Sequence, residues 1–130
     1  MRTNLSQTSS AATITVVTFS GVDTTGSGGS GAIGATNGTS ASSGAPTASL
    51  TTTRNNSWVL GVGIDSQGAS GRTVGTNQTM IHQDSGSGIT GWVQRQNSTT
   101  ATSGTSVTIN DTAPTNHRYD LTTCEVLPAQ

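Results

Sequence analysis

The chain has 130 residues, among them 26 Thr, 18 Ser and 17 Gly; 8% are charged and the net charge is −1. That length suits one domain, and five scattered Arg with no Lys exclude the basic footprint that DNA, RNA or an acidic membrane surface demands. No apolar run approaches the length that spans a bilayer, so membrane insertion is not expected.

What remains is a chain of small, hydroxyl-bearing and β-branched residues, which fit a pleated sheet better than a helix. Leu, Ile, Val and Phe together number 21, so the core is thin. The reading is an all-β, antiparallel β-sandwich of jelly-roll or immunoglobulin-like type, with about seven to eight short strands. A loose polar lead-in over 1–11 precedes a single domain over 12–128.

In chain order, "TITVVTF" (13–19) reads as a first strand with Ile14 and Val16 on one face and Val17 and Phe19 on the other, both covered. A glycine- and serine-rich stretch follows, with one short strand over 32–36 and loop elsewhere. A strand over 46–53 turns at Arg54-Asn55-Asn56 into "SWVLGVGI" (57–64), a central strand. There the alternation assigns Trp58, Leu60, Val62 and Ile64 to the core and Val59, Gly61 and Gly63 to a second face open to close approach. "SQGASG" is a turn, 72–83 one or two short strands and "DSGSG" another turn; strands over 89–96, 105–111 and 118–127 complete the chain.

The pattern G-x-G-x-x-G occurs three times, beginning at Gly26, Gly29 and Gly86. A phosphate cradle needs a helix N-terminus behind those glycines, and "ATNGTSASSGAP" after Gly34 has no helical period, so no nucleotide site or other cofactor is expected. No G-x-S-x-G elbow is present. His82 and His117 have Asp84 and Asp120 near them in sequence, a common spacing that reads as surface histidines. Asp23, Asp65, Asp84 and Asp111 fall at strand ends without a paired metal-ligand spacing and read as solvated turn residues. The lone Cys124 lies in an apolar run and reads as a buried inert thiol. No enzyme and no metal follow from this set.

Trp58 shares the apolar face and reads as core. Trp92, with Gln94 and Gln96, lies on a polar face of its strand; a ring beside amides is the physical basis of a carbohydrate platform, and these three are the ligand-binding candidates. Pro114, Tyr119 and Leu121 partly imitate the tyrosine corner of a β-sandwich. Six N-x-S/T sequons are present, a number that so Ser/Thr-rich a chain yields by chance.

Taken together, "TASLTTTRNNSWVLGVG", "SGTSVTINDTAP" and "RYDLTTCEVLP" resemble a β-sandwich module of large bacterial secreted and surface proteins, over about residues 12 to 128. The resemblance implies an extracellular or cell-surface location and the C-terminal part of a longer β domain. It also implies a non-catalytic structural or adhesive role against a protein or glycan surface, with a strand-donating partner or self-association completing the sheets. A carbohydrate-binding module using Trp92, and a hydrolase built on His82 or His117, are the rival expectations.

Overall fold

A computed structural model of the chain describes residues 13–130; the expected lead-in over 1–11 lies outside the described residues. Eight strands follow a three-residue 3-10 turn at Ser30–Ala32: β1 Ile33–Ala41, β2 Thr47–Thr51, β3 Trp58–Asp65, β4 Thr73–Val74, β5 Gln78–Gly86, β6 Ile89–Gln96, β7 Ser106–Ala113 and β8 Tyr119–Val126. They form two antiparallel sheets, a five-stranded one in the order β1-β8-β3-β6-β5 and a three-stranded one in the order β2-β7-β4. The molecule is an all-β antiparallel sandwich, as the composition predicts.

Local chemistry explains several of these elements. Ser87 and Gly88 carry φ of 53° and 77°, so both central residues of the β5–β6 hairpin are left-handed, the turn that follows the twist of its strands. β1 runs through Asn37-Gly38-Thr39, which the composition assigns to loop. Pairing with β8 overrides weak local preference, and Asn37 and Thr39 donate side-chain hydrogen bonds to the Ser49 and Thr47 carbonyls of β2. Those bonds seal one side of the sandwich. On the other side a bulge between Met80 and His82 breaks the regular edge of β5, which discourages edge-to-edge pairing.

Two expectations are corrected. Residues 13–19 form no ladder; Thr15, Val17 and Phe19 are half-buried while Ile14 and Val16 are 50% and 61% exposed. The segment lies against the outer side of the five-stranded sheet, with Thr15 bonded to His82 and Thr13 next to Gly91. The faces of β3 are also exchanged. Val59, Gly61, Gly63 and Asp65 point inward, and Trp58, Leu60, Val62 and Ile64 point out.

Volume is the reason for the exchange. A Cβ on Gly61 would stand 2.6 Å from Ile109 Cγ2, and one on Gly63 would collide with the Trp92 ring. The glycines provide the room in which the largest buried side chains sit. The core gathers Ala48, Leu50, Val59, Trp92, Ile109, Tyr119 and Leu121 from five strands and both sheets. Tyr119 joins the core at the start of β8.

Candidate functional site

Asp65 ends β3 on the inward parity and is fully buried. Its carboxylate accepts the Gln67 N–H at 2.8 Å, the Arg72 guanidinium, and His117 Nδ1 at 2.7 Å. Burial opposes its charge, yet the Gln67 N–H, His117 and Arg72 outweigh that and hold the carboxyl below its ordinary range. A carboxylate only accepts, so Nδ1 of His117 carries the proton of this bond. Arg72 lies over the Trp92 ring at 4.6 Å, its side chain wholly buried. This clasp ties the end of β3 to the chain entering β4 and to the β7–β8 connection.

Beside it stands Asp111 of β7, 1% exposed. Burial pushes its carboxyl up to about 7, outweighing the pull of the Arg72 charge. Both its oxygens lack a partner among the described residues, as do Arg72 Nε and Nη1, Trp92 Nε1 and Gln94 Oε1.

Two further carboxylates fasten the opposite end. Glu125 of β8 is fully buried and accepts N–H bonds from Ala35, Thr53 and Arg54 and the Thr53 hydroxyl, at 2.8 to 3.2 Å. Its burial penalty is overcome by those donors together with the Ser57 hydroxyl, and the acid sits below its ordinary range. Asp23 is lowered to about 2 by the Thr25 hydroxyl, Arg54 and the Thr25 N–H. Arg54 Nη1 spans Asp23 Oδ2 and the Pro128 carbonyl, both at 2.7 Å. Residues 21–23 therefore run antiparallel to 127–129 and are pinned there, with Asp23 N–H on Leu127 O and Ala129 N–H on Gly21 O.

The turn aspartates expected to be solvated are thus corrected at three positions: Asp23, Asp65 and Asp111 are all buried. His117 pairs with Asp65 and not with its sequence neighbour Asp120, so the expectation of an unpartnered surface histidine is corrected as well. His82 Nδ1 shares a 2.9 Å bond with the Thr15 hydroxyl. One histidine has an acid, the other a hydroxyl. Among the described residues no single histidine joins both, the arrangement that a nucleophile–base–acid relay of acyl transfer requires.

Trp92, Gln94 and Gln96 do share one face of β6, and it is the inward face. Trp92 is 2% exposed and Gln94 is fully buried, its Nε2 donating to Gln78 Oε1 and to the Asn110 backbone carbonyl. Gln96 bonds Thr100. The ring offers no face to a sugar, which corrects the platform expected at Trp92, Gln94 and Gln96. Trp58, expected in the core, lies outside with Arg95 stacked on it at 4.8 Å. Cys124 is half-buried, and burial raises its thiol, in keeping with an inert cysteine. Among the described residues no three His, Cys, Asp or Glu side chains gather as metal ligands, and no helix is long and apolar enough to cross a membrane.

The outer side of the five-stranded sheet carries an accessible groove. A groove of ≈ 370 Å³ runs between Thr13 and Thr15 on one side and Val62, Ile64 and Thr122 on the other. Val62 is 55% and Ile64 44% exposed, with Ile89 beyond them. Comparison with protein-family models, curated proteins and solved structures finds no match for this chain.

Proposed function

We propose that the chain is a non-catalytic structural or adhesive module of an exported bacterial protein, binding through the outer side of its five-stranded sheet. Its export and bacterial source rest on the resemblance of the strand segments named above. One observation supports the adhesive role. Among the described residues, five of the six exposed large apolar side chains, Ile14, Val16, Val62, Ile64 and Ile89, belong to that side or to the segment lying over it. Soluble domains seldom leave such side chains grouped in the open unless they meet a partner.

The buried ions support the structural half. Asp23, Asp65 and Glu125 are all spent on backbone and neighbouring side chains, where they fasten loops and the chain's own crossing segments. A fitting partner for the groove is a largely apolar protein surface, since Val62, Ile64 and Val93 line it, with Asp120 and His82 as its ionisable groups.

The test substitutes Val62→Ser together with Ile64→Ser and measures retention on protein-coated and glycan-coated surfaces. Loss of two half-covered apolar contacts lowers affinity about tenfold or more on the protein surface. The melting temperature stays near that of the parent, because both side chains are already exposed. Unchanged retention, or turnover of an ester or glycoside reporter by the unsubstituted chain, sinks the reading.

A further inference from the structure

The interior around Arg72 holds one cation between two buried acids. Arg72 gives Nη2 to Asp65, and that pair is balanced in charge. Asp111 has no ion pair of its own, and neither of its oxygens has a partner among the described residues. Ionised, it would be a second buried carboxylate sharing the one guanidinium of Arg72, an excess negative charge between the sheets that burial strongly disfavours. Neutral, it adds a donor where one is wanted. Gln94 spends its Nε2 hydrogens on Gln78 and Asn110, leaving Oε1 an acceptor without a donor among the described residues.

We propose that Asp111 is a buried pH switch: it carries a proton while the three-stranded sheet is seated, and loss of that proton loosens β7 and β4 from β6. In the step itself the carboxyl O–H bond breaks, the proton passes to bulk water and the electron pair stays on the oxygen. The position makes the event matter. Asp111 pairs with Val74, so one carboxyl stands where β4 is attached to β7 by a two-residue ladder.

The groups that face it from each packed element are known. Arg72 comes from the chain entering β4 and Gln94 from β6. Behind Arg72 stand Asp65 at the end of β3 and His117 from the β7–β8 connection. Gln78 of β5 bonds both Gln94 and Asn110, the neighbour of Asp111. Of these, His117 and Asp65 are the ionisable side chains beside the guanidinium of Arg72, and Asp65, held below its ordinary range, stays ionised over the neutral range.

The sign follows from linkage. An aspartate that ordinarily titrates near 3.8 and in the folded chain near 7 binds its proton more tightly when folded. Its contribution is complete below pH 3.8, falls as pH rises toward about 7, and is gone above. Asp65, Glu125 and Asp23 are shifted the other way and lose their contributions only on the acid side.

The experiment measures urea unfolding of the full chain from pH 5 to pH 8.5 for the parent, Asp111→Asn and His117→Asn, alongside carbon NMR of the Asp111 carboxyl in the parent. The folding constant of the parent is expected to fall about tenfold per pH unit up to near neutrality. Asp111→Asn should be flat over that range and His117→Asn should retain the fall. Amides of β4 and β7 should exchange faster above pH 7 than the intrinsic rate increase explains. A carboxyl that titrates near 4, or an Asp111→Asn curve parallel to the parent's, overturns the proposal. The NMR titration and the exchange experiment need only the parent chain, so a variant that fails to fold does not protect the idea.

Discussion

The two sides of the five-stranded sheet reverse the usual distribution of polar and apolar groups. Its inner side carries Asp65, Gln94 and Glu125, all fully buried, alongside Val59, Trp92 and Leu121. Its outer side leaves Val62, Ile64 and Ile89 in the open. A chain with so few large apolar residues cannot fill an interior with them alone, and the inner side shows the alternative: carboxylates held by backbone N–H groups and by Arg72. Fixed donors offset the cost of burying charge there. The outer side shows what the same shortage leaves for contact. Apolar side chains that could have filled the interior stand exposed there.

Removing the cation that serves the inner side should give the largest effect. Arg72→Ala leaves Asp65 and Asp111 as buried acids with no guanidinium beside them, and should cost about 3–5 kcal/mol in urea unfolding. Arg72→Met replaces the guanidinium over the Trp92 ring with an uncharged side chain and should recover only the packing part of that loss. If Arg72→Ala costs under about 1 kcal/mol, the inner side does not depend on its ions and the contrast between the two sides collapses.

A cut in the apolar part of the same interior comes next. Ile109 of β7 is fully buried and enters the space left by Gly61. Ile109→Ala should destabilise by about 2–5 kcal/mol, according to how far the sheets close over the gap. Its dependence on pH should match that of the parent, because no titrating group is touched, whereas Arg72→Ala should alter the pH profile. That difference separates loss of packing from loss of charge balance.

Much of the architecture was legible in the sequence and the site was not. Strand positions were readable because Thr, Val and Ile alternate between glycine-rich turns, and β6 is found over 89–96 as read. Which side of β3 faces inward was not readable from apolar parity. Trp58, Leu60, Val62 and Ile64 make the stronger stripe, yet Gly61 and Gly63 face in because Ile109 and Trp92 need their room. The same inversion hid the interior ions. Asp65 lies in line with Val59, Gly61 and Gly63, so the opposite parity would have marked it as buried. Nothing local could have shown that His117 would meet it from 52 residues away. Segment 13–19 failed for a different reason: its alternation is that of a strand, but a strand also requires a backbone partner, which the ladders of this fold do not supply.

The smallest effect belongs to the outer side. Arg95 stacks on Trp58 with its guanidinium 4.8 Å from the ring centre and gives Nη1 to the Gln96 carbonyl. Both side chains are only half-buried, so Arg95→Ala should cost about 0.5–1 kcal/mol. Arg95→Lys should restore little, since an ammonium cannot lie flat on the indole as a guanidinium does. A loss as large as that of Arg72→Ala would mean that the outer side bears stability as the inner side does. Equivalence of the two arginines would remove the ground for treating the outer side as a surface kept free for a partner.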